Sequence, residues 1–325
     1  MIFRADGNST IGLGHVVRCC ALADMLREDF DCYFSIRNPS SSVVEDILKY
    51  CLDVEKLDGS ISYSEEAKLW SKHLHGNEIV VLDGYEFDTS YQQAIKVKGC
   101  KLVCIDDIHS YHFVADVVIN HSPGISIEDY SIESHTTLLL GTNYVLLKKP
   151  YLCFAAKKFS SLKKNTNGPL LICFGGADPE NITLKTLKQI KRLRKYTEIN
   201  IVTGGAYQCG KELKNYIQEN NKIKWHNAVN TSVMMDIMKN CPVAILSAST
   251  ISLEYICIKG FLYLKKTAEN QDSLYYSLIE KNCAYPYEAI FKEDINPNLI
   301  KNQSTLIDGK SGERLQQIFL DLFIS

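Results

Sequence analysis

Ten short runs rich in β-branched and aromatic residues recur along the chain, with helix-like stretches between them. In the first half they are MIFRA, DCYFSI, EIVVLD, KLVCID and VVIN; in the second, PLLICFG, EINIVTG, KIKWHNA, PVAILSA and GFLYLK. Stretches such as HVVRCCALADMLRE and YQQAIKVKG fill the gaps with helical patterning. Strands that alternate with helices pair in parallel, because each helix carries the chain back to the end from which the next strand starts. The pattern predicts an α/β fold, and its recurrence predicts two sheets. Between the halves, residues 155–168 (AAKKFSSLKKNTNG) are rich in Lys, Ser and Asn and run into Gly168-Pro169, the composition of a linker. The expected division is 1–154, a linker at 155–168, and 169–325. Each domain is expected to be doubly wound and Rossmann-like, the two facing one cleft. At 325 residues the chain suits two domains better than one core.

Composition narrows the function classes. A chain that is 46% hydrophobic and 23% charged has the mix of a soluble globular protein. A formal net charge of −2 offers no field to draw nucleic acid or anionic lipid. The opening MIFRADGNST carries Arg4 and Asp6 rather than an apolar signal core, and no run approaches the ~20 apolar residues of a membrane span. Twelve cysteines form no C-x-x-C pair and mostly sit in apolar runs, as Cys104, Cys173 and Cys257 do. Free cysteine behaves as a small buried hydrophobe, so reduced thiols in a cytoplasmic chain are expected.

Three turns lie where strands give way to helices. In the first, MIFRA leads through Gly12 and Gly14 to His15, which is expected at the mouth of a site as a helix begins. Glycine lets the backbone take unusual dihedrals, a helix start offers unpaired N–H groups, and a neutral imidazole can accept a proton. Arg18, one turn on, is a candidate for meeting an anion. In the second, Gly175 and Gly176 follow an apolar strand, and Asp178-Pro179 suits a first helical turn. In the third, the strand ends at Ser247, Ser249 and Thr250 suit an N-cap over a phosphate site, and Glu254 fits no capping box and so is expected free for another partner. Plain βα turns and a solvent-facing glutamate account for the same residues equally well. Val17 breaks the dinucleotide pattern G-x-G-x-x-G, and no Walker lysine follows. Asp83, Asp106 and Asp107 read as strand-end residues paired with nearby backbone. DFD at 29–31 falls between a helix and a strand, away from the expected cleft, and the spacing in DDIHSYH fits no metal motif.

Taken in order, these blocks resemble a known family. FRADGNSTIGLGHVVR resembles the F-R-x-D and I-G-x-G-H-x-x-R opening of the nucleotide-sugar hydrolases of pseudaminic acid biosynthesis. VLDGYEF is similar to their D-x-Y stretch, CIDD to the following acidic pair, GTNYVLLKKPYLCF to the segment before the linker, CFGGADPENIT to G-G-x-D, and SASTISLEYICIKG with AENQ to the nucleotide-binding end. The resemblance runs over roughly residues 2 to 275. It implies a GT-B fold and a UDP-linked 2,4-diacetamido-2,4,6-trideoxyhexose as substrate, cleaved at C1–O by water with inversion and without metal or cofactor. It implies His15, Tyr85 and Asn270 as catalytic residues. Gly12, Gly14, Arg18, Gly175, Gly176, Asn227, Ala228, Ser249, Thr250, Glu254 and Gln271 are the implied substrate contacts. A monomer without nucleic-acid or membrane partners is expected. A GT-B transferase using a UDP-amino sugar, or a nucleotide-sugar sensor, is the alternative. Two positions depart from the family: Gly260 is followed by Phe261-Leu262 rather than Ile-Pro, and Gly84 stands where bulkier residues are common.

Overall fold

A computed structural model describes residues 1–7, 12–157, 166–190, 195–218, 220–268, 271–292, 296 and 298–325. The chain divides into two compact units, Met1–Lys149 with Lys310–Ser325, and Pro150–Gly309. The first unit holds β1 (Ile2–Ala5), α1 (Gly14–Leu26), β2 (Tyr33–Arg37), α2 (Ser41–Ile47), β3 (Asp53–Leu57), α3 (Tyr63–Trp70), β4 (Ile79–Asp83), α4 (Thr89–Lys96) and β5 (Lys101–Ile105). It continues with β6 (His112–Phe113), β7 (Val117–Asn120), β8 (Ser131–Ile132) and β9 (Thr137–Leu140). The second holds α5 (Lys149–Ala155), which opens at the boundary, then β10 (Leu170–Cys173), α6 (Ile182–Ile190), β11 (Ile199–Thr203), α7 (Gly210–Gln218), β12 (Ile223–Asn227) and α8 (Thr231–Asn240). After these come β13 (Val243–Ser247), α9 (Thr250–Ile258), β14 (Phe261–Lys265), α10 (Asp272–Glu280), β15 (Tyr285–Pro286), α11 (Leu299–Leu306) and α12 (Ser311–Ile324), the last belonging to the first unit.

All ten expected strands form. The first sheet has seven strands in the order β3-β2-β1-β4-β5-β7-β9, and the second has six in the order β12-β11-β10-β13-β14-β15. Every pairing in both is parallel. Central strands such as IVVLD and LLIC are buried along their whole length, as parallel strands covered on both faces must be. β3 (DVEKL) and β9 (TLLL) escape the sequence reading because they are edge strands, exposed at alternate or terminal positions and so less apolar.

The order reverses at β1 in the first sheet and at β10 in the second. At such a switch point the loops leaving the two flanking strands part in opposite directions and leave a crevice at the carboxyl ends. In the first unit the crevice is formed by the loops after β1 and β4, paired through Ala5 and Asp83. In the second it is formed by the loops after β10 and β13, paired through Cys173 and Leu246. The glycine turns of the sequence open at these points.

Two expected boundaries are corrected. The C-terminal residues assigned to the second domain return to the first unit. α12 packs on α1, burying Leu315 and Phe319 completely, which stabilises by about 1.5–3 kcal/mol each. Gln316 donates to Asp29, and Phe30 meets Phe323 edge-on at 5.9 Å. This explains why α1 is buried nearly all round: the sheet covers one side and α12 the other. The expected linker start also falls inside α5, whose Lys149 already belongs with the first unit. All twelve cysteines are free. Among the described residues no helix is long and apolar enough to cross a membrane.

Candidate active site

α1 begins at Gly14, one residue before His15, and no side chain caps its first turn. Gly12 sits at φ 82°, a left-handed conformation that explains glycine there. The His15 ring is buried rather than standing at a mouth. Its Nδ1 lies 2.7 Å from Oδ1 of Asp83, the last residue of β4 across the switch point, and Asp83 is fully buried. Burial acts to raise the Asp83 pKa, but Arg18 and His15 beside it outweigh burial and hold it below the usual carboxylate value. A deprotonated carboxylate is an acceptor, so Asp83 favours the tautomer with the proton on Nδ1, an atom that Arg18 Nη2 also approaches, at 2.9 Å.

Arg18 completes the cluster in a way the sequence reading did not expect. Its Nε donates to Asp83 Oδ2 at 2.9 Å, Nη2 to Asp83 Oδ1 at 2.7 Å, and Nη1 to Asp107 Oδ2 at 2.7 Å. The guanidinium is thus satisfied by two carboxylates, and its charge is not held out to a substrate anion. Asp83 and Asp107 are corrected in the same stroke: their partners are side chains far away in sequence, not nearby backbone. Asp106 does take nearby backbone, accepting from the N–H groups of Ile108 and His109, and also from Tyr130. Tyr85 meets the His15 ring edge-on at 4.8 Å, and its hydroxyl lies 3.5 Å from Asp107 Oδ2. Behind Arg18, His121 is buried and accepts from the Leu146 N–H. Burial, with Arg18 nearby, lowers its pKa to about 4.

A second network under the crevice was also missed. Arg4 on β1 and Asp6, the residue just after the strand, are two apart, so in extended backbone they fall on one face. Arg4, fully buried, reaches Asp6 through Nη1 at 2.7 Å and Glu66 of α3 through Nε at 2.8 Å. Arg37 pairs with Glu66, and Tyr63 and Tyr91 donate to Asp6 and Glu66. The R-x-D spacing is the signal that was present; Glu66, 62 residues on, is not readable from it.

The second unit's crevice is made of backbone and hydroxyls. Gly175 sits at φ 89°, and a Cβ on Gly175 or Gly176 would meet no atom within 4 Å. Gly176 packs backbone-to-backbone on Gly204, where a Cβ would come within 2.6 Å of it. Asp178 does not lie in the first turn of α6; from four residues before it, the buried carboxylate accepts from the Ile182 and Thr183 N–H groups, 2.8 Å each. Ser249 is the N-cap residue of α9 but makes no side-chain cap bond; its hydroxyl meets Ser247 Oγ at 3.0 Å. Thr250 is the first helical residue.

Three further sets of expected contact residues have partners within the fold. Glu254 is not without a partner: the buried Tyr151 hydroxyl of α5 donates to its carboxylate. The Ala228 N–H is taken by the Thr203 carbonyl, and Asn227 Oδ1 by the Thr203 hydroxyl, so both residues hold their own turn, with Ala228 at φ 51°. Gln271 is tied to Thr267, accepting from its N–H at 2.8 Å. Asn270 lies outside the described residues.

Comparisons with known proteins fit this architecture. No family model matches the chain. It is 24% identical over 301 residues to an uncharacterized protein of Methanocaldococcus jannaschii, covering 90% of this chain but only 59% of that protein's length. It is 24% identical over 294 residues to the UDP-2,4-diacetamido-2,4,6-trideoxy-beta-L-altropyranose hydrolase of Campylobacter jejuni, covering 89% of this chain and 99% of the relative. Among solved structures, Acinetobacter baumannii MurG superposes with a TM-score of 0.62 at 13% identity, covering 98% and 99% of the two chains. A Staphylococcus aureus MnaA–UDP complex superposes equally well, at 10% identity over 100% and 98%. The fold is GT-B-like, with two doubly wound parallel α/β units.

Proposed function

We propose that this protein is a UDP-sugar hydrolase, acting on a UDP-linked 2,4-diacetamido-2,4,6-trideoxyhexose. The observation that carries the reading is the 2.7 Å contact between His15 Nδ1 and buried Asp83 at the switch point of the first sheet. A histidine whose Nδ1 proton is held by a carboxylate presents Nε2 as a fixed base, the arrangement that activates a water or hydroxyl. The Campylobacter relative, a hydrolase of this substrate class by name, supports water as the acceptor.

In this reading His15 Nε2 removes a proton from water as the water oxygen bonds to C1. The C1–O bond to the diphosphate breaks, its electron pair leaves with UDP, and the sugar is released with inversion. The imidazolium then returns its proton to solvent. Tyr85, packed on the ring, keeps the imidazole in place. In the second unit, the Thr250 N–H at the start of α9, which no side chain caps, and the open backbone at Gly175 and Gly176 offer donors to the departing diphosphate; the Ser249 N–H is already given to the Ser247 carbonyl. Stabilising the leaving group in this way requires no protonating carboxylic acid, unlike a glycosidase. In the same reading Glu254, which accepts from the Tyr151 hydroxyl, also accepts from the ribose hydroxyls.

Incubation of the protein with the UDP-diacetamido sugar and no acceptor tests the proposal. Immediate release of UDP and free sugar is expected, with turnover lost in His15→Ala and UDP affinity retained. Release only on adding a hydroxyl acceptor would make the chain a transferase; binding without release would make it a sensor.

A further inference from the structure

A pocket of about 370 Å³, counting its open mouth, lies beside His15 in the first unit. Among the described residues it is lined by Asp6, His15, Tyr63, Gly84, Tyr85, Glu86 and Phe87, more apolar than polar. Three aromatic rings form its walls. Tyr63 stands edge-on to Phe87 at 6.0 Å, and the Arg37 guanidinium lies 3.7 Å over the Tyr63 ring, which fixes that wall. Gly84 is what lets Phe87 come so close: a Cβ at residue 84 would sit 2.9 Å from the Phe87 ring.

The charge at the pocket floor is cancelled. Asp6 accepts from Arg4 through both oxygens, from the Arg37 N–H and from the Tyr63 hydroxyl. Arg4 and Arg37 balance Asp6 and Glu66, two guanidinium groups against two carboxylates. A carboxylate with its lone pairs filled offers nothing to an incoming ammonium, and burying an unpaired charge beside it is costly. The Tyr63 O–H already donates to Asp6, so toward the pocket its oxygen can only accept. With its buried charge cancelled and its remaining carboxylate, Glu86, exposed to solvent, the inner part of the pocket suits a neutral group that carries one N–H and an apolar cap.

From this geometry we infer that the pocket takes one N-acyl group of the sugar, its amide N–H on the Tyr63 oxygen and its methyl against Phe87, and that Gly84 sets the room for it. The inference rests on the reading that His15 acts at the sugar, since the pocket adjoins that ring. It makes the first unit the part of the chain that discriminates acylated from unacylated sugars.

The test compares three UDP-sugars: the 2,4-diacetamido sugar and the two analogues in which one acetamido group is a free amine. For the wild-type protein, removing the acyl group at one of the two positions is expected to lower kcat/KM by about 30-fold, as expected when a site built for an amide meets an ammonium instead. Gly84→Ala, which pushes on Phe87, and Tyr63→Phe, which keeps the ring but removes the acceptor, are both expected to shrink that ratio to about threefold. Urea denaturation followed at Trp70 in a Trp225→Phe background, which reports the first unit, confirms that each variant is folded. Equal turnover of all three sugars by wild type, or an unchanged ratio in both folded variants, overturns the pocket assignment and leaves the hydrolase reading standing. No UDP release from any of the three overturns both.

Discussion

The two sheets share one topology, yet their switch points are furnished in opposite ways. The crevice of the first unit is packed with charge: His15, Arg18, Asp83 and Asp107 at its edge, and Arg4, Asp6 and Glu66 beneath. The crevice of the second is lined by glycines, serines and a bare helix start, and the buried carboxylate nearby, Asp178, is given over to capping α6. A doubly wound sheet provides the place and leaves the chemistry to the loops. Charged side chains locked by partners suit a group that must be held at one protonation state. Backbone N–H groups around glycine suit an anion that must approach closely and leave again.

That contrast is sharpest in catalysis. Asp83→Asn would keep a hydrogen bond to His15 but favour the wrong tautomer, and kcat is expected to fall by about 10²–10⁴-fold. UDP affinity should stay within about twofold of wild type, because the substitution lies in the first unit only. Steady-state kinetics beside calorimetry would decide it; an equal loss in both would merge the two roles that the proposal separates.

Stability gives the next largest effect. Arg4→Met strands Asp6 and Glu66 in a buried site, which is expected to cost about 3–5 kcal/mol in urea denaturation. The chain has two tryptophans, Trp70 and Trp225, one in each unit. Each is held by a hydrogen bond, to Glu55 and to Thr203 respectively. Single-tryptophan variants would therefore report the units separately, and the loss should appear at Trp70.

Acid should weaken the same unit. His121 is held neutral in the fold, with its pKa pushed down from 6.5 to about 4 by burial. Below pH 6.5 the unfolded chain takes up a proton there that the folded chain does not, so this stabilisation is complete above pH 6.5 and lost as pH falls toward 4. The expected loss is about 3 kcal/mol, followed by Trp70 fluorescence at pH 7 and pH 4. Asp6, Glu66 and Asp83 are all held below their ordinary pKa values by arginines, and their contributions are lost in the same direction at still lower pH. A Trp70 signal as acid-resistant as Trp225 would contradict the account.

The smallest effect lies in the second unit. Tyr151→Phe removes the hydroxyl that orients Glu254 and should weaken UDP binding by about fivefold, near 1 kcal/mol. The preference for UDP over 2′-deoxy-UDP should shrink with it, which loss of packing alone would not produce; calorimetry with both ligands measures it.

Much of the site was legible as places and little of it as partnerships. The glycine turns and His15 could be found because a strand, a glycine and a helix start are consecutive in the chain. Asp83 was seen but read as a strand end, since its meaning depends on β4 lying next to β1. Glu254 was read as free for the same reason: Tyr151 reaches it from a helix about a hundred residues earlier. Arg18 was read as a loose cation because neither of its carboxylates is near it in sequence.

The sequence alone determined the two parallel sheets, because strand and helix periodicities are local and a βαβ crossover has one common handedness. It also determined where each crevice opens. Only the tertiary structure decided that His15 is paired with Asp83, that Arg18 is neutralised, and that α12 closes over the first unit. Those facts depend on which strands become neighbours, and burial then strengthens every charge pair that the neighbours bring together.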